Sequence, residues 1–373
     1  MKTVEDGRHA YLMLKYNGKE MGTEYLSKYL MDFTYEDSAP GDQDSISVTL
    51  DDREANWQDT WKPKFGDKLI AEITVVNWDK PGEKAKLPCG SFEVDSIDID
   101  GPPDKVMIQA LALPLGGAQA KQENRTKSWE KVKLKTIAQD IAGRAKLKLV
   151  YSAVANPTYE RLDQSDQTDF SFLVDKAKDE GIAVKISGGS LVLFDEAEYE
   201  KKPAVIDIVK GKSNILNYSF SESSTTTAYG KCVVTYRPPA SAKKAKKKEK
   251  DKSKDDKPAT IKAATNTQST TKVITGEYSL PNATGLPVLR INERVETVAE
   301  ANRLAKNRLR EQNKKSGLAS FSLDGDIRFA AGITINAKGF GRFNGKYIVV
   351  SATHRLGTTP YETEIQIRKV LGW

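Results

Sequence analysis

The stretch from Trp61 to Leu113 reads WKPKFGDKLIAEITVVNWDKPGEKAKLPCGSFEVDSIDIDGPPDKVMIQALAL. Its pattern returns from Arg328 to Val370 as RFAAGITINAKGFGRFNGKYIVVSATHRLGTTPYETEIQIRKV. Setting Gly90 on Gly345 brings Phe92 onto Tyr347, Val94 onto Val349 and Ser96 onto Ser351. After a slip of two positions Ile108-Gln109 falls on Ile365-Gln366, and Gly66 corresponds to Gly332. The first copy carries a longer hairpin loop around Asp79-Lys80-Pro81-Gly82. Each copy holds short alternating apolar runs broken by Gly or Pro, the sign of an antiparallel meander. Two diverged copies predict two similar β-domains in one chain.

Working outward, Ala10 to Tyr16 (AYLMLKY) is a β run ending at Asn17-Gly18, a strong hairpin signal. Asp32 to Tyr35 and Asp44 to Leu50 follow; in the latter Ile46, Val48 and Leu50 alternate with polar residues, as on a half-buried strand. With the meander these give about six or seven strands, enough to close a small antiparallel barrel over 1–115. Trp57, Trp61 and Trp78 lie near strand ends and read as rim packing rather than a ligand platform.

From about Gly116 the period changes. Leu134, Ile137, Ala138, Ile141, Ala142 and Ala145 make one stripe at helical spacing. Asp166 is placed to cap a second helix carrying Phe170, Leu173, Val174 and Ala177, stopped by Gly181. A hairpin follows, Ile182 to Ile186 and Leu191 to Phe194 around Gly188-Gly189, completing an α/β insert over 116–209. Ile215 to Phe220 and Lys231 to Tyr236 resume the β pattern. The second barrel is therefore expected over 210–237 and 315–373, interrupted by a long excursion. That excursion comprises a Lys-rich linker, 238–276, and an extended segment with a helix, 277–314. The helix runs roughly from Glu296 to Gln312, with Val298, Ala301, Ala305 and Leu309 on its buried side. The fold class read this way is mainly β with α/β insertions, built on two similar small antiparallel β-barrels.

The chain has 373 residues, 38% hydrophobic and 29% charged, a balance that supports packed cores in two or three domains. No apolar run approaches the roughly 20 residues a spanning helix needs. The N-terminus MKTVEDGRHAYLML puts acids and an Arg before a short apolar run, which argues against a signal peptide and for synthesis in the cytoplasm without a membrane anchor. Cys89 and Cys232 each sit in a β run and read as buried free thiols. The net charge is +7, of which +5 comes from SAKKAKKKEKDKSKDDKP, Ser241 to Pro258. The basic balance belongs to a linker and not to the folded body.

Motifs for the common chemistries are missing from the sequence. There is no P-loop, no Rossmann fingerprint between strand and helix, no GxSxG elbow and no HExxH. Neither His9 nor His354 has a metal-ligand neighbour at a useful spacing, and His354 reads as structural. Asp98 and Asp100 share one face of a strand and Asp95 lies on the other with Ile97 and Ile99, so the three acids form no cluster and read as a solvated strand face. No catalytic, cofactor or metal residue is assigned. The residues singled out are the anchors of the repeat: Gly66, Gly90, Phe92 and Val94 in the first copy, Gly332, Gly345, Tyr347 and Val349 in the second.

DSISVTLDD, Trp61-Lys62-Pro63, GDKL, GSFEVDSIDIDG and VMIQALAL follow one another in an order that resembles the late control gene D family of phage tail proteins. These are baseplate hub proteins of contractile tails and related injection machines. KSWEKVKLKTIAQDIA and SDQTDFSFLVDKAKDEGIAVKISGGSLVLF are similar to that family's helical insert, and NGKYIVVSATHRLGTTPYETEIQI to its closing barrel strands. The resemblance covers most of the chain outside the lysine tract. It implies a homotrimer with two barrels per subunit, forming a ring between the tail tube protein and a separate spike protein, among other baseplate proteins. It also implies assembly in a bacterial host's cytoplasm and a place in the finished tail. The chain departs from fused-spike relatives in having no long β-helical repeat after its last barrel, and it carries no hydrolase module. Two other classes compete with this one. Nucleic-acid binding through the lysine tract would lack aromatics for stacking and is diluted by four acids. A wall-degrading tail-tip enzyme would need a carboxylate pair that cannot be picked out.

Overall fold

The computed structural model describes residues 7–22, 26, 28–59, 61–78, 80–112, 123–223, 228–238, 273–281, 283 and 285–373. The described residues fall into two units, one drawn from Met1–Ala228 and Arg310–Trp373, the other from Tyr229–Leu309. Most of the lysine-rich stretch assigned to 238–276 lies outside the described residues.

The larger unit begins with β1 (His9–Tyr16), β2 (Lys19–Met21), β3 (Leu30–Asp37), β4 (Ser45–Asp51), β5 (Lys68–Val76), β6 (Lys84–Asp100) and β7 (Lys105–Leu111). The insert supplies β8 (Asn124–Lys133), α1 (Leu134–Arg144), β9 (Lys148–Tyr151), β10 (Thr158–Thr168), α2 (Asp169–Asp179), β11 (Ile182–Ser187), β12 (Ser190–Asp195) and α3 (Glu196–Lys201). Then come β13 (Ile206–Val209) and β14 (Ile215–Glu222). The second unit holds β15 (Lys231–Tyr236), β16 (Ile274–Ser279), β17 (Val288–Asn292) and most of α4 (Val298–Asn313). The chain closes with β18 (Gly317–Asp324), β19 (Thr334–Lys338), β20 (Gly345–Gly357) and β21 (Glu362–Lys369).

The fold is mainly β. Among the described residues thirteen strands form one hydrogen-bonded sheet whose path runs β14-β18-β21-β20-β3-β4-β7-β6-β5-β1-β2, with β19 joining β20 to β13. Period-two burial builds it: Ile46, Val48 and Leu50 of β4 are each 1% exposed, while the residues between them are half-buried. One core gathers Phe33, Val48, Leu69, Phe92, Val94 and Ile108; a second gathers Phe321, Ile335, Tyr347, Val349, Ile365 and Ile367. Burying each such side chain contributes about 1.5–3 kcal/mol. Two closed barrels were expected, whereas the hydrogen bonds among the described residues run as one open path. The reason lies in β20. Its first residues pair with β19, but Ala352 to Gly357 pair with Asp37 to Asp32 of β3, so the strand links the two meanders.

The insert has its own core, in which α1 buries Leu134, Ile137, Ala138, Ile141 and Ala142 against Phe172 and Leu173 of α2. The cap of α2 is not Asp166. A bulge in β10 between Gln164 and Gln167 leaves Asp166 at φ 47°, and the strand runs on to Thr168. The Thr168 hydroxyl therefore accepts from the Ser171 N–H at 3.3 Å. β8 and β10 form a two-stranded ribbon that the sequence reading did not resolve.

In the second unit β15 pairs antiparallel with β16 and parallel with β17. This differs from the grouping of 231–236 with the second barrel, because β15 finds its partners in the excursion. α4 packs close to β16 at Gly276, where a Cβ would lie 2.5 Å from the Ala301 carbonyl carbon. The Asn302 side chain accepts the Glu277 N–H at 2.8 Å.

Candidate functional site

Two meanders, β3 to β7 and β14 with β18 to β21, carry the repeat anchors, and their geometry can be compared bond by bond. Gly66 has φ 85° and donates its N–H to the Val94 carbonyl at 3.0 Å; Gly332 has φ 89° and donates to the Val349 carbonyl at 2.8 Å. The Val94 N–H returns to the Asp67 carbonyl at 2.9 Å, and the Val349 N–H to the Ile333 carbonyl at 2.8 Å. Leu69 lies opposite Phe92 and Ala71 opposite Gly90; Ile335 lies opposite Tyr347 and Ala337 opposite Gly345. Gly90 has φ 119° and Gly345 φ 149°, a region L side chains rarely enter. β6 shifts register against β7 between Val94 and Ser96, and β20 shifts against β21 between Val349 and Ser351.

The outer strands match as well. β3 shifts register against β4 between Leu30 and Asp32, and β14 shifts against β18 between Ile215 and Asn217. The orders β3-β4-β7-β6-β5 and β14-β18-β21-β20-β19 thus run in parallel. Only the flanking strands differ in sense, since β1 is antiparallel to β5 and β13 parallel to β19.

The meanders meet at a buried polar joint that the sequence reading missed. Asp37, at the end of β3, accepts the Ala331 N–H at 2.7 Å and is ion-paired to Lys185 of the insert. Lys185 also lies 3.2 Å from the Asp44 carboxylate and donates to the Ser38 carbonyl at 3.0 Å. Burial pushes the Asp44 carboxyl up to about 6, against the pull of Lys185. Next to this joint His354 is fully buried and stacks on Tyr35, with ring centroids 5.9 Å apart. Its Nε2 faces the Phe329 carbonyl at 3.1 Å, so Nε2 carries the proton, and Nδ1 accepts from the Tyr361 hydroxyl at 2.8 Å. Burial pushes the His354 imidazole down to about 4. The only warning in sequence was a histidine inside an apolar strand.

A second buried cluster ties the insert to the end of the chain. Arg368 of β21 donates to Glu196 at 2.5 Å and to Glu200 at 2.6 Å, both on α3, and Arg310 lies 2.6 Å from Glu200. Burial would raise the Glu196 carboxyl, but Lys314 and Arg368 bring it down to about 2. Among the described residues no group of three His, Cys, Asp or Glu side chains could hold a metal ion, and both cysteines are free and buried. Trp57 is buried in the first core, Trp78 donates to the Gly325 carbonyl at 2.6 Å, and Trp61 stays 41% exposed beside Trp57. Asp95, Asp98 and Asp100 are exposed on β6. The described groups form structural joints and a long sheet, with ion pairs that fix elements to one another.

No family model and no curated protein matches the chain. Solved structures do. The 43 kDa tail protein of prophage MuSo2 from Shewanella oneidensis superposes with a TM-score of 0.67 at 13% identity, over 97% of this chain and 98% of that one. The tail protein from Neisseria meningitidis MC58 gives 0.67 at 11% identity, over 98% of both chains. This chain has the fold of phage tail proteins. Prophage tail protein gp18 from Listeria monocytogenes EGD-e shares it at a TM-score of 0.57 and 12% identity, over 96% of this chain and 94% of that one. The tail-protein fold therefore extends through the insert and the excursion, and is not confined to one meander.

Proposed function

We propose that this chain is a non-enzymatic structural protein of a contractile tail, the hub of its baseplate. Three copies form a ring, and each contributes two similar β-units built on its two meanders. The observation that carries this reading is the bond-by-bond match between Gly66–Val94 and Gly332–Val349, with bulges at equivalent places in both meanders. A trimer of such chains presents six similar faces around one axis. It can meet a sixfold tail tube on one side and a threefold spike on the other, a task that needs no catalytic group. The fold shared with prophage tail proteins supports the same placement in a phage-like particle. The partners on this reading are two further copies of the chain, the tube protein, a separate spike and neighbouring baseplate proteins. Native mass measurement of the protein, and counting of its copies in purified tails, tests the reading. Three copies per ring are expected; six copies per ring would overturn the pseudo-sixfold arrangement.

A further inference from the structure

The joint between the meanders has an unfilled counterpart elsewhere in the same chain. Inside the chain, Ala352 to Gly357 of β20 pair with β3. By the matched register, the segment of β6 equivalent to Ala352–Gly357 starts at Ile97, and the strand equivalent to β3 is β14. Among the described residues neither has the corresponding neighbour. β14 ends the sheet path, with β18 on one side only, and β6 from Ser96 to Asp100 is paired with β7 alone. Among the described residues neither edge has a strand against it, and apart from the Tyr218 N–H, which the Asn217 side chain accepts at 2.8 Å, such an edge is a template for another strand.

The side chains tell the same story. Ile99 lies opposite Val106, which is fully buried, so Ile99 faces the core side of the sheet; yet it is 50% exposed. Its equivalent, His354, is 0% exposed because Tyr35 of β3 covers it. Tyr218 lies opposite the buried Phe321 and is 39% exposed, whereas its equivalent Phe33 is 0% exposed. Core-facing residues are thus left open at the two places where the internal joint would predict a covering strand.

We infer that β6 of one copy pairs antiparallel with β14 of the next copy, repeating between chains the β20–β3 pairing made within each chain. This rests on the ring reading above and specifies its contact. The register follows from His354 opposite Tyr35: Ile99 meets Phe220 of the neighbour, Asp100 meets Ser219 and Asp98 meets Ser221. The contact uses two different edges, so it is head-to-tail, and copies close a ring only at a fixed number. It also differs from the internal joint in kind. Ile99 and Phe220 stand where His354 and Tyr35 stand, so the contact between chains lacks the imidazole network of the internal joint.

The test is disulfide capture in the full chain. Directly opposed antiparallel residues lie about 4.5–5.5 Å apart at Cα, within disulfide reach. Chains carrying Ile99→Cys are mixed with chains carrying Phe220→Cys and oxidised. Asp100→Cys with Ser219→Cys, at exposed positions, repeats the test without touching apolar side chains. The expected result is a mixed dimer from each pair, at least tenfold above either chain alone, and far less from the out-of-register pair Asp100→Cys with Ser221→Cys. Native mass of the unlinked protein is measured in parallel. A trimer without these cross-links would overturn the strand pairing and leave the ring standing. Cross-links in a particle of some other copy number would support the pairing and overturn the threefold ring. Neither cross-link nor trimer would overturn both.

Discussion

The backbone N–H of Ala331 donates to Oδ2 of Asp37 across 2.7 Å, joining residues 294 positions apart. The same carboxylate is paired to Lys185, so one side chain fastens the first meander to both the second meander and the insert. Such a buried group is costly to leave half-paired, which gives the joint its leverage over the fold.

Replacing Lys185 by Met leaves Asp37 and Asp44 facing each other, their side chains only 11% and 2% exposed. The expected loss of stability is about 3–5 kcal/mol. Asp37→Asn keeps an acceptor for Ala331 and should cost only about 1–2 kcal/mol. Urea denaturation of the two variants checks the order; an equal cost would show that the ion pair does not hold the joint.

His354 sets a pH signature. Its folded value, about 4, lies below its ordinary 6.5, so the unfolded chain binds the extra proton between these values. Stability from this group is complete above pH 6.5 and falls as pH drops toward 4, by roughly 3 kcal/mol in all. Asp44 works the other way, because its raised value means the folded chain gains a proton below about pH 6. His354→Gln should therefore be destabilised at pH 7, and the deficit against the parent should shrink by roughly 3 kcal/mol by pH 4. Denaturation curves at pH 7, 5.5 and 4 test this, and parallel stability profiles would count against it.

At Gly90 and Gly345 a Cβ would meet nothing closer than 3.7 Å, so there is room for a side chain. The obstacle is the backbone, at φ 119° and 149°. Valine at either position should cost about 1–3 kcal/mol through strain alone. Chemical denaturation of both variants measures it. Unequal effects would mean that the two positions do not share one backbone role.

Glu200 sits 5% exposed between Arg310 and Arg368. Glu200→Ala leaves two buried guanidinium groups short of a partner and should lower stability by about 3–5 kcal/mol. Its neighbour Glu196 adds an acid limit: held at about 2, it contributes stability above its ordinary 4.5 that is lost as pH falls toward 2. Thermal melts of Glu200→Ala and of the parent down to pH 3 read both effects.

The sequence by itself determined the strands of the two meanders and the helical stripe of the insert. Alternation at Ile46, Val48 and Leu50, and the 3.6 period from Leu134 to Ala142, are local consequences of backbone geometry. The match of Gly66, Gly90 and Val94 to Gly332, Gly345 and Val349 was equally legible, because turn and bulge positions constrain residue type wherever they recur. Only the tertiary structure decided which edges meet. Nothing in the alternation of KYIVVSATHR says that its first half stays with β19 while its second half crosses to β3, since every register of the same parity looks alike in sequence. Nor could spacing reveal that Lys185 and Asp37 would share one pocket, or that Lys231 to Tyr236 would leave the second meander for β16 and β17. Strand pairing and buried charge are settled by residues far apart in the chain, where desolvation makes an unpaired edge or charge too costly to leave alone.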